Sequence, residues 1–189
     1  MAKISDELKQ AISQMTDKEK DKLLFRLVAK DTPLVERLTF ELVEDKSTLD
    51  GRVRKLEVFI ISHIPFAETR YLTPGYLLMD LRSINAQITR HVKTTKDKLS
   101  DVVLPILMLN TAFERHMPML KRFTRNRSAT FTKYVIQRLT GLFKKINKLD
   151  PDYYIEIEED LNQLLTYVYD FEWTAELATI NNIPKNWEY

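Results

Sequence analysis

The 189-residue sequence predicts an all-α fold, and three of its features point to that class. Only three glycines occur, and the two-residue signal of a β-hairpin appears once, at Asp50-Gly51, so turns suited to a β-rich fold are scarce. Apolar residues recur at helical spacing along most of the chain. Four helix-start patterns also occur: Thr16 with Glu19, Thr32-Pro33, Thr73-Pro74 and Asp150-Pro151.

These signals divide the chain into helices of ordinary length. We predict helices at about residues 5–14, 17–30, 33–44, 49–64, 74–91, 102–120, 128–149 and 152–171. The polar run 93–101 is expected to be an exposed connector. The arrangement predicts an irregular helical bundle or a stack of antiparallel α-hairpins with about seven to eight helices. We expect residues 1–189 to form a single helical domain in which 174–189 is a short extension.

The segment 102–120 is apolar on every side of a helical wheel, which indicates a helix covered all round. Pro118 is expected to kink or end it. We favour the interpretation that Glu114, Arg115 and His116 lie where this helix leaves the core, solvated or paired, over a functional site at a buried His116. The residues predicted to be among the most buried are Leu104, Ile106, Leu107, Leu109 and Phe113.

Composition bears on compartment and cofactors. The chain is 44% hydrophobic and has no cysteine, so a core can form without disulfides or metal. We expect no cofactor, and the absence of cysteine favours a cytoplasmic location. Residues 1–15 also lack the apolar run of a secretory signal. The longest nearly unbroken apolar run, 102–109, is much shorter than the ~20 residues of a membrane span. A net charge of +2 does not by itself indicate a nucleic-acid or membrane partner.

The sequence contains no enzymatic signature. Three scattered glycines exclude the Walker and dinucleotide-binding loops, and no G-x-S-x-G nucleophile elbow occurs. None of the three histidines has the spacing of a zinc or di-metal helix motif. A metal-dependent enzyme that uses Glu156, Glu159 and Asp160 is the weakest hypothesis. A groove at Tyr71 and Tyr76 is less favoured than a packed helix corner.

Charge is strongly separated in the C-terminal half. Residues 113–148 contain ten Lys or Arg against a single acid, Glu114, whereas residues 150–184 contain nine acids and no Lys or Arg. A helical wheel places Lys133, Lys144 and Lys148 on one exposed stripe. We expect the basic and acidic helices to turn opposite charges to solvent rather than pair them with each other. The candidate surface residues are Arg122, Arg125, Arg127, Lys133, Lys144, Lys148, Glu156, Glu159 and Asp160.

This pattern has one structural interpretation and two functional ones. Charge runs are most often solvated surfaces with weak ion pairs. As a function, we favour a non-enzymatic protein-interaction or scaffold domain whose adjacent basic and acidic surfaces recognise a complementary protein or a second copy. The alternative is a nucleic-acid-binding domain that uses the basic 115–148 stretch, with Phe123, Phe131 or Tyr134 for stacking. We infer no membrane partner and no small molecule that the chain requires.

Overall fold

A computed structural model describes residues 3–44, 47–66 and 73–189 of the chain. These residues form nine α-helices, one short 3-10 helix and no β-strand, so the predicted all-α class and helical bundle are confirmed. The helix that the sequence did not resolve is the last, Glu172–Ile180. No helix within the described ranges is long and apolar enough to cross a membrane. Contacts group the chain into two compact units, residues 1–45 and 46–189, and the expectation of a single domain stays a prediction.

The first unit contains three consecutive helices, α1 Asp6–Gln14, α2 Asp17–Val28 and α3 Thr32–Leu42. At α2 the predicted capping box is confirmed: the Glu19 amide donates to the Thr16 hydroxyl at 3.4 Å, and the Thr16 amide donates to the Glu19 carboxylate at 2.9 Å. At α3 the predicted cap is wrong by one residue. Asp31, not Thr32, is the cap, because its carboxylate accepts a hydrogen bond from the Leu34 amide at 3.2 Å.

No side chain of residues 3–44 is buried. Helix α2 packs against α3, yet large apolar side chains stay open to solvent, including Phe25 at 68% exposure and Leu42 at 77%. Burial of apolar surface is the main favourable contribution to folding. The first unit therefore adds little to the apolar core of the protein.

The second unit contains the buried core. Its helices are α4 Thr48–His63, α5 Pro74–Thr95, α6 Ser100–Leu120, α7 Arg125–Ile146, α8 Tyr154–Asp170 and α9 Glu172–Ile180, with a 3-10 turn at Pro151–Tyr153 before α8. Helix α6 packs against α4, α5, α7 and α8, as expected of a central helix. Leu104, Leu109 and Phe113 are fully buried and Ile106 is 1% exposed, which confirms four of the five residues predicted to be most buried.

The prediction for Leu107 is wrong, because one side of α6 is not covered. Leu107 and Val103 are only half-buried, and Glu114 and Pro118 are exposed. At about 100° per residue these four positions fall within about 60° of one another, so they form a narrow stripe that no other helix of the second unit covers completely.

Two prolines lie inside α6 without breaking it. Pro105 has no N–H, so the carbonyl of Asp101, four residues earlier, lacks its helical donor. The Lys145 ammonium on α7 donates to that carbonyl at 3.4 Å and to the Asp101 carboxylate at 2.6 Å. Pro118, which is expected to kink or end α6, lies inside the helix, and α6 ends two residues later, at Leu120.

The connector between α5 and α6 is shorter and less exposed than predicted. Helix α5 continues to Thr95, and both Thr94 and Ser100 are buried. Asp97 holds the start of α6, because its carboxylate accepts hydrogen bonds from the amides of Leu99 at 3.1 Å and Ser100 at 3.2 Å. The polar residues that indicated a solvated loop are thus used in part as a helix cap.

The C-terminal residues pack onto the bundle. Helix α9 packs against α7 and α8, and its Thr174 and Ala178 are fully buried. Beyond α9, the Asn162 side chain on α8 donates to the Trp187 carbonyl at 3.0 Å and accepts from the Trp187 amide at 2.7 Å. Trp187 also meets the Tyr154 ring edge-on, with centroids 5.2 Å apart.

Candidate functional site

Five cations of the basic segment are exposed and form no ion pair with any described residue. Lys133 and Lys144 lie on the outer face of α7, and Lys148 follows the end of the helix. The predicted stripe therefore faces solvent. The five side chains are Arg122, Arg127, Lys133, Lys144 and Lys148.

Other cations of the segment do pair with acids, contrary to expectation. Lys121 binds Asp170 at 2.9 Å, and Arg125 binds Glu176 at 2.6 Å. Both pairs connect the basic segment to the acidic segment that follows it. The second pair forms because α9 packs along α7 and brings Glu176 close to Arg125. Arg125, one of the candidate surface residues, is therefore partly neutralised within the chain.

The acidic candidates lie on α8. Glu156, Glu159 and Asp160 are exposed and form no ion pair in the described part of the chain. The carbonyl of Asp160 accepts a hydrogen bond from the Asn110 side chain at 2.9 Å, which holds this part of α8 against α6. Helices α6 and α9 each pack against both α7 and α8, so they lie between the basic and the acidic helix.

A cleft of about 450 Å³ opens between α7 and α9. The α7 residues that line it recur at helical spacing and so share one face. Ile136 at 4% exposure and Thr132 at 2% are its most buried lining residues. The full lining consists of Arg125, Ala129, Thr132, Lys133, Ile136, Gln137, Trp173, Glu176, Leu177 and Asn181.

Most polar groups of the cleft are satisfied within the protein. The Trp173 indole N–H donates to the Phe123 carbonyl at 3.0 Å, and the Thr132 hydroxyl donates to the Ser128 carbonyl at 2.9 Å. Arg125 and Glu176 form the ion pair described above. Lys133 is the lining cation that has no ion pair among the described residues. The cleft thus combines apolar surface with one uncompensated positive charge.

No protein-family model, curated protein or solved structure matches this chain.

The expectation that His116 lies where α6 leaves the core is wrong, whereas Glu114 is exposed as expected. His116 is 0% exposed, because it lies on the covered side of α6. Burial lowers the pKa of His116 below its ordinary value of 6.5. A hydrogen bond with the Pro65 backbone raises this pKa in part, and the nearby positive charge of Arg115 lowers it further. Burial likewise lowers the pKa of His91, against the raising effect of Asp97. A neutral, enclosed imidazole is consistent with a structural role.

Two other sites considered from the sequence receive no support. Of the groove residues, Tyr76 is exposed at the first turn of α5, and Tyr71 lies outside the described residues. Within residues 3–44, 47–66 and 73–189, no three histidine or carboxylate side chains converge as metal ligands.

The aromatic residues proposed for base stacking are largely inaccessible. Phe131 is 1% exposed and Tyr134 is 7% exposed, and only Phe123 is half-buried. Phe131 packs instead against Phe113 and Phe171 in the core. Stacking of nucleic-acid bases requires an open ring face, so the prediction that Phe131 and Tyr134 could stack is wrong.

Proposed function

We propose that this protein is a non-enzymatic interaction domain that recognises a protein of complementary charge, including a second copy of itself. The observation that supports this proposal is the set of exposed cations on and beside α7 that have no acidic partner in the described chain. Neighbouring cations such as Lys121 and Arg125 are paired, so unpaired charge is concentrated on the outer face. Complementary patches favour fast, correctly oriented association.

The acidic surface of α8 extends the same argument. Glu156, Glu159 and Asp160 are exposed carboxylates that form no ion pair in the described structure. A partner with charges of both signs could contact the basic and acidic surfaces together, which would fix its register. A cytoplasmic location belongs to this proposal and rests on the absence of cysteine.

A nucleic-acid partner is less favoured for two reasons. Two of the three rings proposed for stacking, Phe131 and Tyr134, are buried, and exposed carboxylates lie on α8 and α9. A polyanion that approaches the basic face would also meet these carboxylates, which would repel it.

Self-association provides the direct test. We expect sedimentation of the full chain to show salt-sensitive association, because rim charges are screened by added salt. Association should weaken in a Lys133→Glu/Lys144→Glu variant and in a Glu156→Lys/Glu159→Lys variant, and mixing the two variants should restore it. Lys55→Glu/Lys98→Glu, a charge change equal to that of the Lys133→Glu/Lys144→Glu variant at exposed sites elsewhere in the second unit, is the matched control.

If the wild-type chain stays monomeric, affinity capture from a lysate of the source cells extends the test. A specific partner should be retained by wild type and by Lys55→Glu/Lys98→Glu, and lost with the Lys133→Glu/Lys144→Glu and Glu156→Lys/Glu159→Lys variants. A different result would replace this proposal with the nucleic-acid alternative. It is tight binding of a generic oligonucleotide whose log affinity falls against log salt concentration with a slope of ~0.9 per phosphate contact. Reversal of Glu156 and Glu159 would then leave that affinity unchanged.

A further inference from the structure

The cleft between α7 and α9 has the size of a small-molecule site. Its volume of about 450 Å³ lies within the ~300–1,000 Å³ typical of such sites. A two-turn helix, about 11 Å long and at least 10 Å wide, occupies roughly 900 Å³. The cleft could therefore enclose a compact ligand, but it could take only side chains of a docked helix.

The apolar part of the cleft is held in place by the hydrogen bonds of its own polar groups. Trp173 is fixed to the Phe123 carbonyl through its indole N–H, and Thr132 bonds to Ser128 within α7. Ile136 and Leu177 line the space with Trp173. A preformed apolar wall that includes an aromatic ring favours an aromatic ligand body over a flexible polar one.

The charge of the cleft favours an anionic ligand. Its acid, Glu176, is neutralised by Arg125 at 2.6 Å, which leaves Lys133 as the lining cation without an ion pair among the described residues. The net lining charge is therefore positive. We propose that this cleft binds a small aromatic monocarboxylate, with the ring against Trp173 and Ile136 and the carboxylate near Lys133.

This inference does not depend on the protein-interaction proposal. That proposal concerns the exposed faces of α7 and α8, and its acidic variant reverses Glu156 and Glu159, which do not line the cleft. Lys133 belongs to both surfaces, so the cleft has its own test, a substitution at Ala129 that changes no charge. The two proposals can therefore fail separately.

The test uses the full chain and three probes with the same ring system: 1-naphthoate, 1-naphthalenemethanol and 1-naphthylmethylamine. Binding is followed by the ¹H–¹⁵N resonance of the Trp173 indole. The chain has only two tryptophans, so a Trp187→Phe variant assigns that resonance. We expect 1-naphthoate at millimolar concentrations to shift the Trp173 signal, with a lower dissociation constant than the alcohol and a much lower one than the amine.

Two variants locate the site. Ala129→Phe places a large side chain in the cleft at an exposed α7 position and adds no third indole, so the fold should tolerate it and the Trp173 shift should disappear. Lys133→Met should remove the preference for the carboxylate over the alcohol, a change of about two- to fivefold, the size expected of an exposed ion pair. Lys144→Met, on the same stripe but outside the cleft, should leave that preference unchanged.

Several results would overturn the inference. One is the absence of any Trp173 shift with 1-naphthoate at millimolar concentrations. Another is a shift that persists in a folded Ala129→Phe variant, and a third is equal affinity for the carboxylate and the amine. Binding of an amphipathic peptide at Trp173, without binding of 1-naphthoate, would identify the cleft as a peptide groove instead.

Discussion

The guanidinium of Arg115 donates a hydrogen bond to the carbonyl of Ile61 at 2.6 Å, across 54 residues of sequence. The same guanidinium nitrogen also donates to the Ile64 carbonyl, and the group lies 4.6 Å from the centroid of the Phe66 ring. The last carbonyls of a helix have no backbone donor within that helix. Arg115 on α6 therefore caps the C-terminal end of α4 and joins the two helices.

We expect Arg115→Met to lower the free energy of unfolding by about 1–2 kcal/mol, because two carbonyls lose a charged donor in a partly exposed setting. Urea denaturation followed by circular dichroism measures the change. Lys144→Met removes a cation that has no such contacts and should change stability by less than about 0.5 kcal/mol. Equal effects of the two substitutions would show that Arg115 does not stabilise the α4–α6 contact.

The unequal burial of neighbouring leucines on α6 gives a second prediction. Leu109 is 0% exposed and Leu107 is half-buried. Leu109→Ala should cost about 2–5 kcal/mol, because it removes buried carbons and leaves a cavity. Leu107→Ala should cost clearly less, since its side chain is already partly in contact with water. Urea midpoints of the two variants decide the order, and a larger effect at Leu107 would contradict the packing described for α6.

A third prediction concerns pH. Burial lowers the pKa of His116 and of His91 in the folded state, so near and below the ordinary value of 6.5 the unfolded chain binds more protons than the folded one. Stability should therefore decrease as the pH falls from ~7.5 to ~5.5. His116→Phe should flatten this dependence, whatever its effect on stability at neutral pH.

The ring resonances of His116 provide a direct reading of its pKa. We expect an NMR titration to place its midpoint below 6.5. A midpoint at or above that value would mean that the imidazole is hydrated or that an acid near it stabilises the charged form.

The fourth prediction concerns the C-terminal residues. Asn162→Ala removes both hydrogen bonds to the Trp187 backbone, and we expect a loss of about 1–2 kcal/mol in unfolding free energy. Faster hydrogen exchange of the Trp187 amide should accompany it. Asn186→Ala is the matched control, because its hydrogen bond to Glu188 is exposed. Unchanged exchange at Trp187 in the Asn162→Ala variant would mean that the ring contact between Tyr154 and Trp187 is enough to hold the residues after α9 on the bundle.

Sequence periodicity was sufficient to predict the fold class and the central helix. The positions of Leu104, Leu109 and Phe113 follow from a segment that is apolar on all sides, because such a helix needs neighbours. Periodicity could not show which side of α6 is less completely covered by neighbouring helices. For this reason Leu107 and His116 were misjudged in opposite directions.

The candidate site was predicted only in part. The wheel placed Lys133 and Lys144 on an exposed face correctly, because outward position depends on helical geometry alone. The Arg125–Glu176 pair and the cleft beside it depend on how α9 packs on α7, a contact between residues 51 positions apart. The sequence predicts a short extension from residue 174, and this interpretation leaves Trp173 and Leu177 outside the candidate site.

The bond between Lys145 and the Asp101 carbonyl has a consequence for natural variation. Pro105 creates the vacant acceptor, and a side chain from another helix supplies its donor. In related chains, the residues at positions 105 and 145 should therefore covary. Where position 105 has its own N–H, that group bonds to the carbonyl of residue 101 within the helix. A lysine at 145 is then retained only for its ion pair with Asp101.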